Sequence, residues 1–231
     1  MIKENLYEVQ SNIKEACKRA GRDPKDVCLI AVSKTKPVSM LMEAYNEDIR
    51  EFGENKVQEM CDKMTELPED ISWHMIGHLQ TNKVKYIVGR TKLIHSVDSM
   101  KLAQEISKES CKKNVTSDIL IEVNVAKEES KFGITVEETL SFVENISKLP
   151  GICVKGLMTI APYVENPEEN REIFRNLRKL SIDITNKDID NVSMSILSMG
   201  MTNDYMVAIE EGATHVRVGT GIFGERNYRK E

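Results

Sequence analysis

Short apolar segments rich in β-branched residues recur along this chain, and nearly every one is followed by a stretch whose apolar residues return at helical spacing. The strand-like segments are Val27 to Ser33, a short piece ending in FGEN, ISWHMIG, KLIHSVDS, SDILIEVNVA, ICVKGLMTIA, Asn191 to Leu197 and THVRVG. Between them, sets such as Val57, Met60 and Met64, or Ile173, Phe174, Leu177 and Leu180, each mark one face of a helix. Parallel strands need a crossover, and a helix is the usual one, so about eight such units in 231 residues point to a (β/α)₈ TIM barrel. An open doubly wound sheet is the alternative. No long linker, repeat period or low-complexity tract divides the chain, so residues 1–231 are expected to form a single domain. An extra N-terminal helix carries Leu6, Val9, Ile13, Ala16 and Ala20 and stops near Gly21 and Pro24. Only about a dozen residues follow the last strand, so that first helix is expected to take the place of a final one.

Composition narrows the function classes. Hydrophobic residues make up 40% and charged residues 30%, and the net charge is −5, without the basic excess that nucleic-acid binding usually requires. The longest apolar runs are too short to span a membrane and MIKENLYEVQ is too polar for a signal peptide, so a cytoplasmic protein is expected. The five cysteines are scattered and form no C-x-x-C pair, which reads as reduced thiols that neither bridge nor bind metal. His74 and His78 stand four residues apart, but ISWHMIG reads as a strand and no carboxylate or cysteine completes a metal motif.

The chemistry gathers at three places. In CLIAVSKTKP, strand alternation puts Ile30, Val32, Lys34 and Lys36 on one side, so Lys34 occupies a position where a core residue is expected. Burial lowers a lysine's pKa, and the neutral amine can attack a carbonyl to give a Schiff base; the plainer reading is an amine that snorkels to water. A barrel's ligand site lies at the carboxyl ends of its strands, with phosphate commonly held after the seventh and eighth. Those loops read SMGMTND and GTGIFG. Ser198 offers a hydroxyl, Gly200 permits close backbone approach at the start of an expected helix, and Gly219, Thr220 and Gly221 offer backbone donors around a second hydroxyl. Arg217 lies two residues before the second loop. An amine, a phosphate cup and a cation match the aldehyde, the phosphate and the pyridine nitrogen of pyridoxal 5′-phosphate (PLP).

Seven stretches, AVSKTKP, FGENKVQE, WHMIGHLQTNK, KFG at Lys131 to Gly133, GLMTI, LSMGMTND and VRVGTGIFGER, together resemble the pyridoxal phosphate homeostasis protein family, which is related to the barrel domain of alanine racemase. The resemblance covers the chain from about Ala31 to Arg226. It implies that Lys34 carries PLP as a Schiff base, and that Ser198, Met199, Gly200, Gly219, Thr220 and Gly221 hold the phosphate largely through backbone N–H groups. It further implies that Arg217 faces the ring nitrogen, with Asn55 near the cofactor and Met158 lining its pocket. Many members carry tyrosine after GEN where this chain has Lys56, and His78 falls at a variable position, so neither is assigned a contact.

The implied role is a PLP-binding protein of vitamin B6 homeostasis, with effects on amino-acid and keto-acid balance and PLP-requiring apo-enzymes as possible recipients. The family suggests a monomer. An arginine at the ring nitrogen disfavours protonation there, which makes a poor electron sink and argues for holding the cofactor over turning substrate over. The alanine racemase barrel is followed by a β domain supplying a tyrosine for proton transfer, and this chain is expected to lack it. A PLP-dependent amino-acid racemase is one alternative, and a lysine Schiff-base aldolase acting on a sugar phosphate is another.

Overall fold

The computed structural model describes residues 1–128 and 132–225, so Lys131 of KFG and Arg226 of VRVGTGIFGER lie outside the described residues. Eight parallel strands close into a barrel in sequence order: β1 (Cys28–Val32), β2 (Glu51–Glu54), β3 (Ser72–Met75), β4 (Leu93–Val97), β5 (Ser117–Glu122), β6 (Ile152–Met158), β7 (Val192–Met201) and β8 (His215–Val218). Closure is made by β8 against β1, with Ile30 opposite Arg217 and Ala31 opposite Val218. The helices are α1 (Ile2–Arg19), α2 (Val38–Asn46), α3 (Val57–Glu66), α4 (Val84–Ile87), α5 (Met100–Lys113), α6 (Val136–Ile146), α7 (Arg171–Thr185), α8 (Tyr205–Glu210) and α9 (Thr220–Phe223).

The alternation of side chains on each strand separates two cores. Residues such as Ala31, Phe52, Met75, Ile119, Val154, Leu157, Val216 and Val218 face outward and pack against the helices. A small second cluster, Leu93, Leu120 and Met158 with Ile160 and Ile196 against it, fills part of the barrel interior. Local sequence starts and stops the helices. Ser99 caps α5, accepting from the Leu102 N–H, and Asn114 ends it in the left-handed conformation at φ 54°. Thr135 caps α6, accepting from the Glu138 N–H while its hydroxyl donates to the Glu138 carboxylate at 2.6 Å.

Helix α1 packs against α2, α8 and α9, so it does occupy the space beside β8 and β1 that a final helix would fill. Polar ties hold it there, several of them through part-buried side chains. Asn5 donates to the Ile222 carbonyl (2.9 Å), Asn12 to the Tyr205 hydroxyl (3.1 Å), and Arg22, just past the helix, to the carbonyls of Ile209 and Ala213 (2.7 and 2.8 Å). Two sequence expectations change. The helix expected from Gly200 starts only at Tyr205, because β7 continues as a strand through Met201. LQTNKVKYIV forms a 3₁₀ turn at Thr81–Lys83 and the single helical turn α4.

Candidate functional site

Strand β1 stops at Val32, and Ser33 to Thr35 turn across the carboxyl end of the barrel with Thr35 at φ 63°. The expected alternation therefore does not carry past Val32, and the two lysines part. Half-buried Lys34 lines a cavity of about 430 Å³ at the barrel mouth. Lys36 points elsewhere: its Nζ donates to the carbonyls of Phe223, Gly224 and Glu225 at 3.2, 2.9 and 3.0 Å, holding the chain that leaves α9. Beneath the turn is an ion cluster whose members are distant in sequence. Lys63 of α3, 6% exposed, donates to the Ser33 carbonyl (2.8 Å), Glu54 Oε1 (2.7 Å) and Glu59 Oε1 (2.7 Å). The Ser33 hydroxyl donates to Glu54 at 2.6 Å, and the Thr35 N–H donates to Glu59 at 2.5 Å. Burial pushes the Glu54 carboxyl above the usual range despite Lys63 and Ser33, which pull it down. The cluster pins the backbone on both sides of Lys34.

The opposite wall comes from the loops after β7 and β8. Gly200, Met201, Thr202, Asn203, Asp204, Gly219 and Thr220 all line the cavity. Gly200 sits at φ +90°, and a Cβ there would fall 2.6 Å from Ala208 Cβ and 2.8 Å from Tyr205 Cα, so only glycine fits. Thr202 joins the loops by accepting from the N–H groups of Gly219 (3.2 Å) and Gly221 (3.4 Å). Asp204 accepts from the Met201 N–H (2.7 Å) and from Asn170 (2.8 Å), whose amide also donates to the Pro162 carbonyl (2.9 Å). Those bonds connect the loop after β7 to Ala161, Pro162 and Tyr163, which complete the cavity.

Arg217 reaches the cavity from β8 at 3% exposure. Its Nη1 donates to the Ser198 hydroxyl and its Nη2 to the Thr159 carbonyl at 2.8 Å, so two of five N–H groups are committed and the guanidinium plane is fixed. Burial lowers its pKa to about 10, with Asp204 and Glu122 opposing, which leaves it cationic at neutral pH. Glu122, near the carboxyl end of β5, is held at about 7 by burial and by Asp98.

Of the ten residues expected at the site, Lys34, Gly200, Arg217, Gly219 and Thr220 line one cavity. The other five lie behind or beside it. The Ser198 hydroxyl, expected at the phosphate, is engaged inside the barrel with Arg217 and His95. Met199 packs outward in the main core, and Met158 is wholly buried with Leu93 and Leu120. Gly221 packs against Val218 and Thr202, and Asn55 packs against Gly77, where a Cβ would come 2.5 Å from the Asn55 carbonyl oxygen. Lys56 is exposed at the start of α3. His74 turns into the barrel, whereas His78 stacks on Phe132 (ring centroids 4.0 Å apart) with Asp98 3.5 Å from its Nδ1. Among the described residues no group of three or more His, Cys, Asp or Glu side chains is placed to hold a metal ion. Sequence reasoning missed Thr202, Asn203 and Asp204, although they stand in the same SMGMTND stretch. It also missed Lys63, whose partners no local pattern reveals.

Comparison with known proteins bears on the family and the fold. The alanine racemase N-terminal domain family matches residues 5–227. The pyridoxal phosphate homeostasis protein of Aquifex aeolicus is 49% identical over 97% of this chain and 98% of its own length. That of Pseudomonas aeruginosa is 40% identical over 98% and 96%. Among solved structures, PipY of Synechococcus elongatus PCC7942 with PLP bound superposes with a TM-score of 0.83 at 33% identity, covering 97% of this chain and 100% of that one. An alanine racemase of Clostridium difficile 630 shares the fold (TM-score 0.78, 14% identity), with 99% of this chain matched to 57% of that one. The chain belongs to the alanine racemase N-terminal domain family and, within it, to the pyridoxal phosphate homeostasis proteins.

Proposed function

We propose that this chain holds PLP as a Schiff base on Lys34 and takes part in PLP homeostasis as one barrel-shaped carrier unit. The observation that carries the reading is the convergence of Lys34, Arg217 and the two glycine loops on one cavity of about 430 Å³, a size that suits a small cofactor. The residues fit the group chemically. Lys34 would supply the amine that holds the aldehyde as a Schiff base, with loss of water. Gly200 would let backbone approach an anion beside the Thr220 hydroxyl, and the Gly219 and Gly221 N–H groups, which here donate to Thr202, would turn to it on binding. Arg217, its guanidinium held by Ser198 and Thr159, would face the ring nitrogen as a fixed cation.

Bound PLP supplies electrophilic and electron-withdrawing chemistry, and Arg217 limits the second of these. A guanidinium that keeps its charge disfavours a proton on the adjacent ring nitrogen, so a carbanion would be poorly stabilised. That favours holding and delivering the cofactor over catalytic turnover, with recipients among PLP-requiring apo-enzymes and knock-on effects on amino-acid and keto-acid balance. Among the described residues no helix is long and apolar enough to cross a membrane; a cytoplasmic setting is part of the proposal, since PLP-requiring apo-enzymes are its intended recipients.

The test is the visible spectrum of the protein after incubation with PLP and gel filtration. A yellow band that survives filtration and is lost in Lys34→Ala is expected. A colourless wild-type protein, or a variant that stays equally yellow, would refute the assignment. Racemisation of a panel of amino acids by catalytic amounts of the protein would overturn the carrier role.

A further inference from the structure

Three of the four histidines lie inside the barrel, and two are linked in series. Glu51 Oε2 is 2.7 Å from His74 Nε2, His74 Nδ1 is 2.9 Å from His95 Nε2, and His95 Nδ1 is 2.9 Å from the Ser198 hydroxyl, to which Arg217 donates. These residues come from β2, β3, β4, β7 and β8. Because β4 and β7 are not neighbours, the bond between His95 and Ser198 crosses the interior. The row begins at the amino end of the barrel, where Lys92 pairs with Glu51 Oε1 at 2.5 Å, and ends at Arg217 beneath the cavity.

Donor and acceptor bookkeeping gives the row a direction. Arginine can only donate and an ionised carboxylate can only accept. Burial alone would raise the Glu51 carboxyl, but hydrogen bonds from His74 and Lys92 outweigh it and hold it at about 2, so it is ionised. Ser198 accepts from Arg217 and gives its own proton to His95 Nδ1. The His95 proton then sits on Nε2 and is donated to His74 Nδ1, and the His74 Nε2–H is donated to Glu51. Burial keeps both imidazoles neutral, that of His95 well below its ordinary pKa. The charges facing the row are Lys92 and Glu51 at one end, and Arg217, with Glu122 and Asp204 near it, at the other. His215 flanks the row, with its ring centroid 6.1 Å from His74 and 6.4 Å from His95, and burial holds it neutral at about 3.

We propose that Glu51, His74, His95 and Ser198 form a directed hydrogen-bond chain that orients Arg217 from the far end of the barrel, making these four positioning residues for whatever Arg217 meets in the cavity. The direction matters at Ser198. With His95 in the Nε2–H form, the Ser198 proton points to His95 and a lone pair is left for Arg217. With the other tautomer Ser198 accepts from both His95 and Arg217, its own buried proton has no acceptor in the row, and the oxygen, no longer polarised by donating onward, anchors Nη1 less firmly. Glu51 thus sets the His74 tautomer, His74 sets that of His95, and His95 sets the donor geometry of Arg217.

The effect on PLP rests on the function proposed above, so the test has two arms. In the ligand-free protein, side-chain ¹⁵N NMR should show His74 and His95 as neutral Nε2–H tautomers between pH 6 and 8. A protonated ring or an Nδ1–H form at either position overturns the chain's direction. His74→Leu should turn His95 to the Nδ1–H form, and His74→Gln, which can accept from His95 and donate to Glu51, should leave it unchanged. In the PLP-loaded protein, His74→Leu should move the pH midpoint of the visible band by at least about half a pH unit, with His74→Gln close to wild type. Should His74→Leu not fold, Glu51→Ala at the half-buried end removes the acceptor of the His74 Nε2–H, which frees His74 to take the Nδ1–H form and turns His95 to Nδ1–H in its train, so the visible band should move in the same direction. If wild-type protein takes up no PLP, the cofactor reading fails while the NMR arm still decides the chain. If all variants load and their midpoints coincide, the chain does not reach Arg217 and the proposal is wrong.

Discussion

Replacing Lys63 with methionine removes an ammonium that donates to three oxygens beneath the Lys34 turn while keeping a side chain of similar length. Glu54 is then left without a cation at 0% exposure, with its Oε2 already lacking a hydrogen-bond partner among the described residues. Breaking a buried ion pair by removing one partner costs roughly 3–5 kcal/mol, because the remaining charge is uncompensated. The carboxylate has an escape, which is to take up a proton. Burial already raises the Glu54 pKa above its ordinary 4.5, so the folded protein binds that proton more tightly than the unfolded chain does, and loss of Lys63 raises it further. A raised acid favours the folded state below the unfolded pKa and loses that advantage as pH climbs through the folded value. The deficit of Lys63→Met relative to wild type should therefore be smallest near pH 4.5 and approach the full figure at pH 8. Urea unfolding at both pH values measures it, and Lys63→Met combined with Glu54→Gln should recover part of the loss at pH 8. A deficit under about 1 kcal/mol at pH 8, or one that does not shrink on acidification, would refute the reasoning.

Gly200→Ala combines a φ of +90° with a Cβ pressed on Ala208 and the Tyr205 backbone, so a loss of about 2–4 kcal/mol is expected by thermal or urea unfolding, together with weaker PLP retention. Glu122, at about 7 when folded against 4.5 as its ordinary value, contributes up to about 3 kcal/mol of stability in acid that is lost as pH rises through 7. Glu122→Gln should accordingly flatten the stability difference between pH 5 and pH 8. Lys36→Met removes donors to three carbonyls at the end of α9 and just past it, and should speed proteolysis there without abolishing PLP uptake.

The order of strands and helices was readable because periods of 2 and 3.6 residues survive in the local sequence whatever the long-range contacts are. Boundaries failed where backbone detail intervened. The alternation of β1 was carried four residues too far, to Lys36, because nothing in SKTKP announces Thr35 at positive φ, and Gly200 looked like a helix start when it continues β7. Lys34, Arg217 and three of the loop residues were legible because a barrel gathers the ends of its strands at one mouth. The clamp of Lys63 on Glu54 and the row from Glu51 to Ser198 were not. Their members sit on different strands and helices, and only closure of the barrel makes them neighbours.

The central claim is that Lys34, among all the lysines of this chain, carries PLP. Borohydride reduction of the PLP-loaded protein followed by peptide mass mapping tests it most directly. The account predicts a pyridoxyl-phosphate adduct on Lys34, abolished in Lys34→Ala, with Lys36 and Lys63 unmodified. An adduct on Lys36 or Lys63, or none on Lys34 in a protein that is visibly yellow, would contradict it.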